Sequence, residues 1–529
     1  MALTTYSFAL GKNVPGFLFP IGGGASVGTN NVLKPAHVQI HAAALNQLKR
    51  NQANGATAGS YACAIEYHSA EIPDTTAQLQ VVKDLFVAAG LGEDQVKTFV
   101  FDSRSKSDDT AVMNSFAQDC GIVFVPGGNQ TEMRSLWQNT TFEQALRKIL
   151  SNGGGLMGKS AGAAIQGTIG YFPSADSETT PGDLLRSTSL AKNELTKGMF
   201  SKVLPGITDF YVETHVSDRE RTARALAMLA AWNSANGESI ANGESGTSKF
   251  AALGIAVDSD TGALISFDSS IGEWVASVHG ARAVEFITPN ADSYIGLTPS
   301  HQPIYTNATS NLLISGSKIT LSGNNAGQVI LSQSRAWTPA APQIPEASKH
   351  TCYNNIPSQI SDNSHNEERQ QSEVFFFARN IQSGKIGLMD DVEYAYLSGD
   401  LIPQKGTGCG YWQTHAFDPD AGKVENRLNA QRFALGAKLT NFSVAMPATM
   451  SANFDTFSGI VSFQPSRSAN GSSVLIYDAR FATERGVAKY IYKELGYQKP
   501  VQTGAWISAK VHLLPPGGTY IPATGEVSQ

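Results

Sequence analysis

Up to about Pro289, short runs of consecutive apolar residues alternate with stretches whose apolar positions recur every three or four residues. "GFLFPIGGG" (Gly16 to Gly24), "YACAIEY" (Tyr61 to Tyr67), "VKTFVF" (Val96 to Phe101) and "GIVFVPGG" (Gly121 to Gly128) read as strands. Between them "AHVQIHAAALNQLKR", "TAQLQVVKDLFVAAG" closed by Gly90, and "DTAVMNSFAQD" read as helices. In "TFEQALRKILSN", Phe142, Ala145, Leu146, Ile149 and Leu150 share one helical face. This order implies an α/β fold, a doubly wound and mostly parallel sheet with helices on both faces. Its ligand site is expected beyond the carboxyl ends of the strands.

After about Pro299 the pattern changes to strand-like segments separated by Gly, Asn, Ser and Pro, among them "NLLISGSKITLSG", "SEVFFFARNI", "GIVSFQPS" and "SSVLIYDARF". One helix, "TERGVAKYIYKELGY", is expected among them. The expected organisation is a catalytic domain over 1–295, a β-rich connection over 296–335, a polar Pro-bearing linker or long loop over 336–372, and a β-rich domain with one helix over 373–529.

Charge narrows the partners. Lys and Arg (39) are outnumbered by Asp and Glu (45), the net charge is -6, and no basic run stands out, so no nucleic-acid partner is expected. No run of about 18 apolar residues occurs, so neither is a membrane partner. Charged residues make up 16% of the chain, against roughly 25% in an average globular protein. That leaning favours an extracellular or periplasmic setting over the cytoplasm. Cys63, Cys120, Cys352 and Cys409 show no C-x-x-C spacing, so neither a zinc site nor a disulfide framework is expected. Cys352 and Cys409 can form one bridge; two free core thiols are the other reading.

The stretch "SNGGGLMGKSAGAAIQG" (Ser151 to Gly167) fits two patterns. Gly153 to Ser160 satisfies the phosphate-loop spacing, and Gly158 to Gly162 satisfies the G-x-S-x-G nucleophile elbow. A phosphate loop needs a strand entering its first glycine, whereas a helix enters here. The elbow fits better, because the small residues Gly158, Ala161, Gly162 and Ala163 suit a cramped turn presenting Ser160. No cofactor and no metal is then required.

A nucleophilic serine needs a base, and "DFYVETHVSDRERTARAL" offers His215 at the end of an apolar run, on the sheet edge expected to carry Ser160. Ser217 and Glu220 form an S-x-x-E capping box for the following helix, and Glu220 with Arg224 is an i,i+4 pair. "VDSDTG" supplies Asp258 and Asp260 as candidates to orient the imidazole, although the same letters are good turn chemistry. "VPGGNQ" places Gly127 and Gly128 at a strand end, where backbone N–H groups can stabilise an oxyanion.

In this arrangement the chain resembles peptidase family S51, which contains cyanophycinase and the aspartyl dipeptidases, serine hydrolases on a class I glutamine-amidotransferase-like fold. The resemblance rests on "IGGG" (Ile21 to Gly24), "VPGGNQ" (Val125 to Gln130), "GKSAGA" (Gly158 to Ala163), "VETHVSDRERTARAL" (Val212 to Leu226) and "LGIAVDSDTGAL" (Leu253 to Leu264). It implies Ser160 as nucleophile, His215 as base, and the N–H groups of Gly128 and Ala161 as oxyanion hole. It also implies Gln130, Arg219 and Arg221 as substrate contacts, and a peptide or aspartate-containing polymer as substrate. Three departures stand out: Lys159 precedes the serine, where it can meet a substrate carboxylate or point to solvent; Glu213, a candidate substrate contact, and Thr214 precede the histidine; and the family's acid position falls on Ser259, between Asp258 and Asp260. The last of these leaves an alternative, a weakly active or inactive relative that acts as a binding or self-assembling component. A homo-oligomer is expected on either reading.

Overall fold

The computed structural model describes residues 14–28, 31–67, 76–173, 179–189, 194–200, 204, 206–219, 221–236, 252–322, 326–330, 338–339, 373–377, 432, 435–436, 442–447, 450–455, 460–465, 471–490, 501–521 and 524–529. In chain order the elements begin β1 (Phe17–Ile21), α1 (Pro35–Ala53), β2 (Tyr61–Glu66), α2 (Thr76–Ala88), β3 (Val96–Val100), α3 (Arg104–Ser107), α4 (Thr110–Asp119) and β4 (Cys120–Val125). Next come α5 (Gln130–Trp137), α6 (Thr141–Ser151), β5 (Gly155–Lys159), α7 (Ala161–Ala164), β6 (Ile169–Tyr171), α8 (Pro181–Arg186), β7 (Leu195–Lys197) and β8 (Phe210–Thr214). They are followed by α9 (Thr222–Asn236), β9 (Leu253–Val257), β10 (Thr261–Asp268), β11 (Glu273–Gly280), β12 (Ala283–Thr288), β13 (Tyr294–Leu297), β14 (Pro303–Ile314), β15 (Lys318–Thr320) and β16 (Val329–Ile330).

The first sheet has the order β3-β2-β4-β5-β1-β10-β11-β15-β16. Its five strands from β3 to β1 are parallel, and β10 joins β1 antiparallel. On one face α1 and α2 bury Ile40, Leu45 and Phe86 against Phe17, Phe19, Phe124 and Met157. On the other, α4 and α6 pack Phe116, Phe142 and Leu146 against Leu18, Val123 and Leu156. The α6 stripe expected from the sequence is buried throughout, and Thr140 caps the helix by accepting from Glu143 N–H. The architecture is therefore doubly wound α/β with mixed sheets, followed by a strand-rich C-terminal region.

That region comprises β17 (Thr338–Pro339), β18 (Glu373–Phe377), β19 (Phe442–Pro447), β20 (Met450–Asp455), β21 (Ile460–Pro465), β22 (Val474–Asp478), β23 (Glu484–Tyr490), β24 (Val501–Leu514), β25 (Thr519–Tyr520) and β26 (Val527–Ser528). It is continuous with a second sheet that begins in the first half of the chain, in the order β18-β19-β22-β24-β14-β12-β9-β8-β6-β7. The boundary expected at residue 295 falls inside this sheet: β12 pairs β14 from Ala283↔Ile314 to Thr288↔Thr309, and β14 pairs β24. Tyr305, Ala308, Leu312 and Leu313 on β14 are all buried, so the strand needs neighbours on both sides. A smaller sheet, β20-β21-β25-β26, closes the end of the chain.

Two local expectations change. Of the helix expected from Thr483, residues Glu484–Tyr490 are the strand β23, paired with β24 from Glu484↔Ile507 to Tyr490↔Val501, and 491–497 lie outside the described residues. Gly486 weakens the helix by about 1 kcal/mol, and seven ladder partners outweigh its propensity. Cys63 and Cys120 form a disulfide between β2 and β4, with Cα atoms 5.8 Å apart, although their spacing gave no sign of pairing. Cys352, Cys409 and all but Thr338 and Pro339 of the expected 336–372 linker lie outside the described residues.

Candidate active site

Ser160 and His215 come from different sheets. Ser160 follows β5 of the first sheet, and His215 follows β8 of the second, rather than sharing one sheet edge. The glycine loop after β1 ties them together. The Ile21 carbonyl accepts from Ser160 N–H at 2.9 Å, the Gly22 carbonyl from His215 N–H at 2.8 Å, and the Gly23 carbonyl from Asp260 N–H at 3.0 Å. Gly23, at φ +128°, lies against the imidazole, where any Cβ would overlap the ring.

Ser160 has φ +53° and ψ -116°, and His215 has φ +53°. Such backbone costs of order 1–3 kcal/mol per residue and persists only where surrounding contacts enforce it. The result is the elbow read from the sequence. His215 Nε2 lies 2.8 Å from Ser160 Oγ.

On the other side of the ring, His215 Nδ1 is 3.2 Å from Ser259 Oγ, and the Ser259 hydroxyl donates to Asp218 Oδ2. Asp218 itself is 3.7 Å from Nδ1 and is held by Arg282 at 2.6 Å. This order fixes the tautomer. A carboxylate only accepts, so the single Ser259 proton goes to Asp218; the Ser259 lone pairs then face Nδ1, which must carry the imidazole proton. Nε2 is left as the acceptor toward Ser160. Burial pushes the His215 pKa down, with Arg219 and Arg221 adding to the fall and Asp218 opposing it, so the ring is neutral at neutral pH. Burial disfavours charge on Asp218, but contacts with His215, Arg282 and Ser259 outweigh it and hold the carboxyl below its ordinary range.

Neither acid proposed from the sequence touches the imidazole. Asp258 turns into the interior, where it pairs with Arg432 at 2.8 Å and accepts from Ser217 and Ala283 N–H. Asp260, at φ +57°, pairs with Lys34 at 3.0 Å and His37 at 2.9 Å. The one-residue alternation of a strand end sends both away from the side chain between them. The acid that the sequence reading missed is Asp218, three residues after His215. Its signal was the unexplained hydroxyl at position 259, which calls for a carboxylate close by.

The helix expected to start at Ser217 begins at Thr222 as α9, and Ser217 N–H donates to Asp258. Glu220 lies outside the described residues. Arg224 pairs with Glu213 at 2.6 Å.

A cavity of about 240 Å³ opens beside Ser160, lined among others by Gly128, Gln130, Ala161, Tyr171, Glu213 and the arginines at 219, 221 and 224. Ala161 opens α7, and an N–H in a first helical turn has no intrahelical acceptor. Tyr67 Oη accepts from Asn129 N–H at 2.7 Å and so fixes the loop carrying Gly128. Glu213 is buried and bonded to Arg224 and to Tyr211 Oη, so it orients the arginines rather than waiting for a ligand. Among the described residues, the charged groups lining the cavity are these three arginines and Glu213.

Lys159 does not line this cavity. It shares the face of Met157, toward α1, where burial lowers its pKa, Asp260 opposes that and Lys34 adds to it. Among the described residues, no group of three or more His, Cys, Asp or Glu is arranged to hold a metal ion. No described helix is long and apolar enough to cross a membrane.

Two solved structures are similar to the chain at low identity. A peptidase from an acI-B1 Actinobacterium is 15% identical, with 58% of this chain and 97% of that one covered and a TM-score of 0.36. A putative peptidase E protein from Listeria monocytogenes EGD-e is 11% identical, with 48% and 95% covered and a TM-score of 0.26. The family match is to the model described as peptidase family S51, over residues 75–199, which include the Gly127–Gly128 loop and Ser160 and end before His215. Residues 75–199 are thus similar to peptidase family S51, and that match supports a serine peptidase in general terms.

Proposed function

We propose that the chain hydrolyses amide or isopeptide bonds next to aspartate, with Ser160 as nucleophile and His215 as general base. The observation that carries this reading is the 2.8 Å approach of His215 Nε2 to Ser160 Oγ, made by the one imidazole nitrogen that is free to take a proton. Ser160 Oγ attacks the substrate carbonyl carbon while its proton passes to Nε2. The developing oxyanion turns toward the N–H groups of Gly128 and Ala161. His215 then gives the proton to the leaving nitrogen, and a water molecule activated by the same nitrogen releases the acid from Ser160.

The acidic part of the preference rests on the cavity. An aspartyl carboxylate is placed toward Arg219 and Arg221 on the cavity wall, because guanidinium groups match carboxylates geometrically as well as in charge. The test is turnover of aspartyl amides against their asparaginyl counterparts by the wild type and by Ser160→Ala. The expected result is hydrolysis of the aspartyl series alone, lost in the variant with its melting temperature close to wild type. Hydrolysis that survives in Ser160→Ala, or an equal rate on both series, overturns the reading.

A further inference from the structure

Arg432 lies far along the chain from the catalytic segments, in the strand-rich region, yet its side chain is wholly buried against the back of the site. Its Nη1 meets Asp258 Oδ1 at 2.9 Å and Oδ2 at 2.8 Å, and its Nη2 meets Glu285 at 3.3 Å. Both carboxylates are fully buried as well. Asp258 in turn holds the backbone next to each member of the acid relay. Its Oδ1 accepts from Ser217 N–H at 3.1 Å, one residue before Asp218. Its Oδ2 accepts from Ala283 N–H at 3.2 Å, one residue after Arg282. Asp258 is itself the residue before Ser259.

The seat of Arg432 is built into the sequence. A Cβ on Gly504 of β24 would overlap the Arg432 carbonyl, and one on Gly436 would overlap the Gly486 carbonyl of β23. The backbone around 432 can approach the β23–β24 pair only because these positions carry no side chain.

We infer that the strand-rich C-terminal region is part of the catalytic apparatus, with Arg432 acting as a positioning residue that fixes Asp258 and, through it, Asp218, Ser259 and Arg282 behind His215. The inference rests on the hydrolase reading above. An unpaired Asp258 carboxylate, cut off from water, would have to rotate or take up a proton. Either change loosens its hold on the Ser217 and Ala283 amides. The peptidase-like half then keeps its nucleophile and base but loses the geometry that orients them.

The test uses the full chain and the rate constant for labelling of Ser160 by a fluorophosphonate, in a double-mutant cycle of Arg432→Met with Asp218→Ala. The expected result is a loss of about tenfold or more on Arg432→Met in the wild-type background and of less than about twofold in Asp218→Ala, because the second variant has already removed what Arg432 positions. Glu285→Gln weakens the same buried cluster from its far end, and labelling within about twofold of wild type is expected. Arg432→Lys keeps a buried cation while losing the two-pronged grip, and it runs the same cycle if Arg432→Met does not fold; a loss of about threefold that vanishes in Asp218→Ala is expected. Equal losses in both backgrounds, or a Glu285→Gln loss as large as that of the Arg432 variants, would overturn the inference. Wild-type protein that does not label at all would instead overturn the hydrolase reading.

Discussion

Replacing Asp218 by Asn isolates the acid relay from everything else in the site. In the wild type, the carboxylate accepts the Ser259 proton and thereby commits His215 Nδ1 to be a donor. An amide can donate to Ser259 and reverse it, so that the hydroxyl points at Nδ1 and the imidazole proton moves to Nε2. Ser160 then faces an N–H where it needs an acceptor. Where an acid touches the imidazole directly, the acid-to-amide change costs about 10⁴ in rate. Here a hydroxyl stands between, and the Asn carbonyl can still rotate toward it. A loss of about 10² to 10³ is therefore expected, equivalent to about 2.7 to 4 kcal/mol of transition-state stabilisation. Ser259→Ala should be milder, at about tenfold, because Asp218 remains 3.7 Å from Nδ1. The assay is kcat/KM on an aspartyl amide together with the fluorophosphonate labelling rate, each beside a melting curve. Asp218→Asn within twofold of wild type, in a protein whose Ser160→Ala variant is inactive, would refute the relay.

Three other outcomes follow from the structure. The neutral imidazole is the active base and burial lowers its pKa below 6.5, so activity should be full at pH 7 and fall on the acid side with a midpoint below 6.5; a kcat/KM profile with its midpoint above 7 would contradict this. Gly23→Ala puts a methyl group where the His215 ring lies, at φ +128°, and should cost about 1 to 3 kcal/mol of stability and most of the turnover, read by urea melts and kcat/KM; normal turnover would show that the loop does not fix the base. Reducing the Cys63–Cys120 bridge, which closes 57 residues, should lower unfolding stability by about 2 to 4 kcal/mol without changing kcat, and an unchanged urea midpoint under dithiothreitol would remove the disulfide from the account.

Much of this was legible in the sequence wherever one local pattern determined one local shape. The runs at Phe17–Ile21 and Cys120–Val125 and the α6 stripe are local signals, and the structure forms them as read. Ser160 was legible because small residues surround it and a helix, not a strand, precedes the glycines. The acid was not, because Asp218 reads as part of a helix start and its function depends on a contact with Ser259 across two segments. Asp258 and Asp260 look like triad members only until the strand end sends them toward Arg432 and Lys34. The merging of the C-terminal strands with the first half of the chain depends on β14 meeting β24, a pairing between residues about two hundred positions apart that no local periodicity encodes. The helix expected at Glu484–Tyr490 failed for the same reason, since the segment's ladder partner decides its form.

The most direct measurement is mass mapping of fluorophosphonate adducts on the intact chain at pH 7, run side by side with His215→Ala. A single adduct at Ser160, formed at least about a hundredfold faster in the wild type than in the variant, is the result expected if the two groups share a proton. An unlabelled Ser160, or labelling at the same rate without the imidazole, would contradict it.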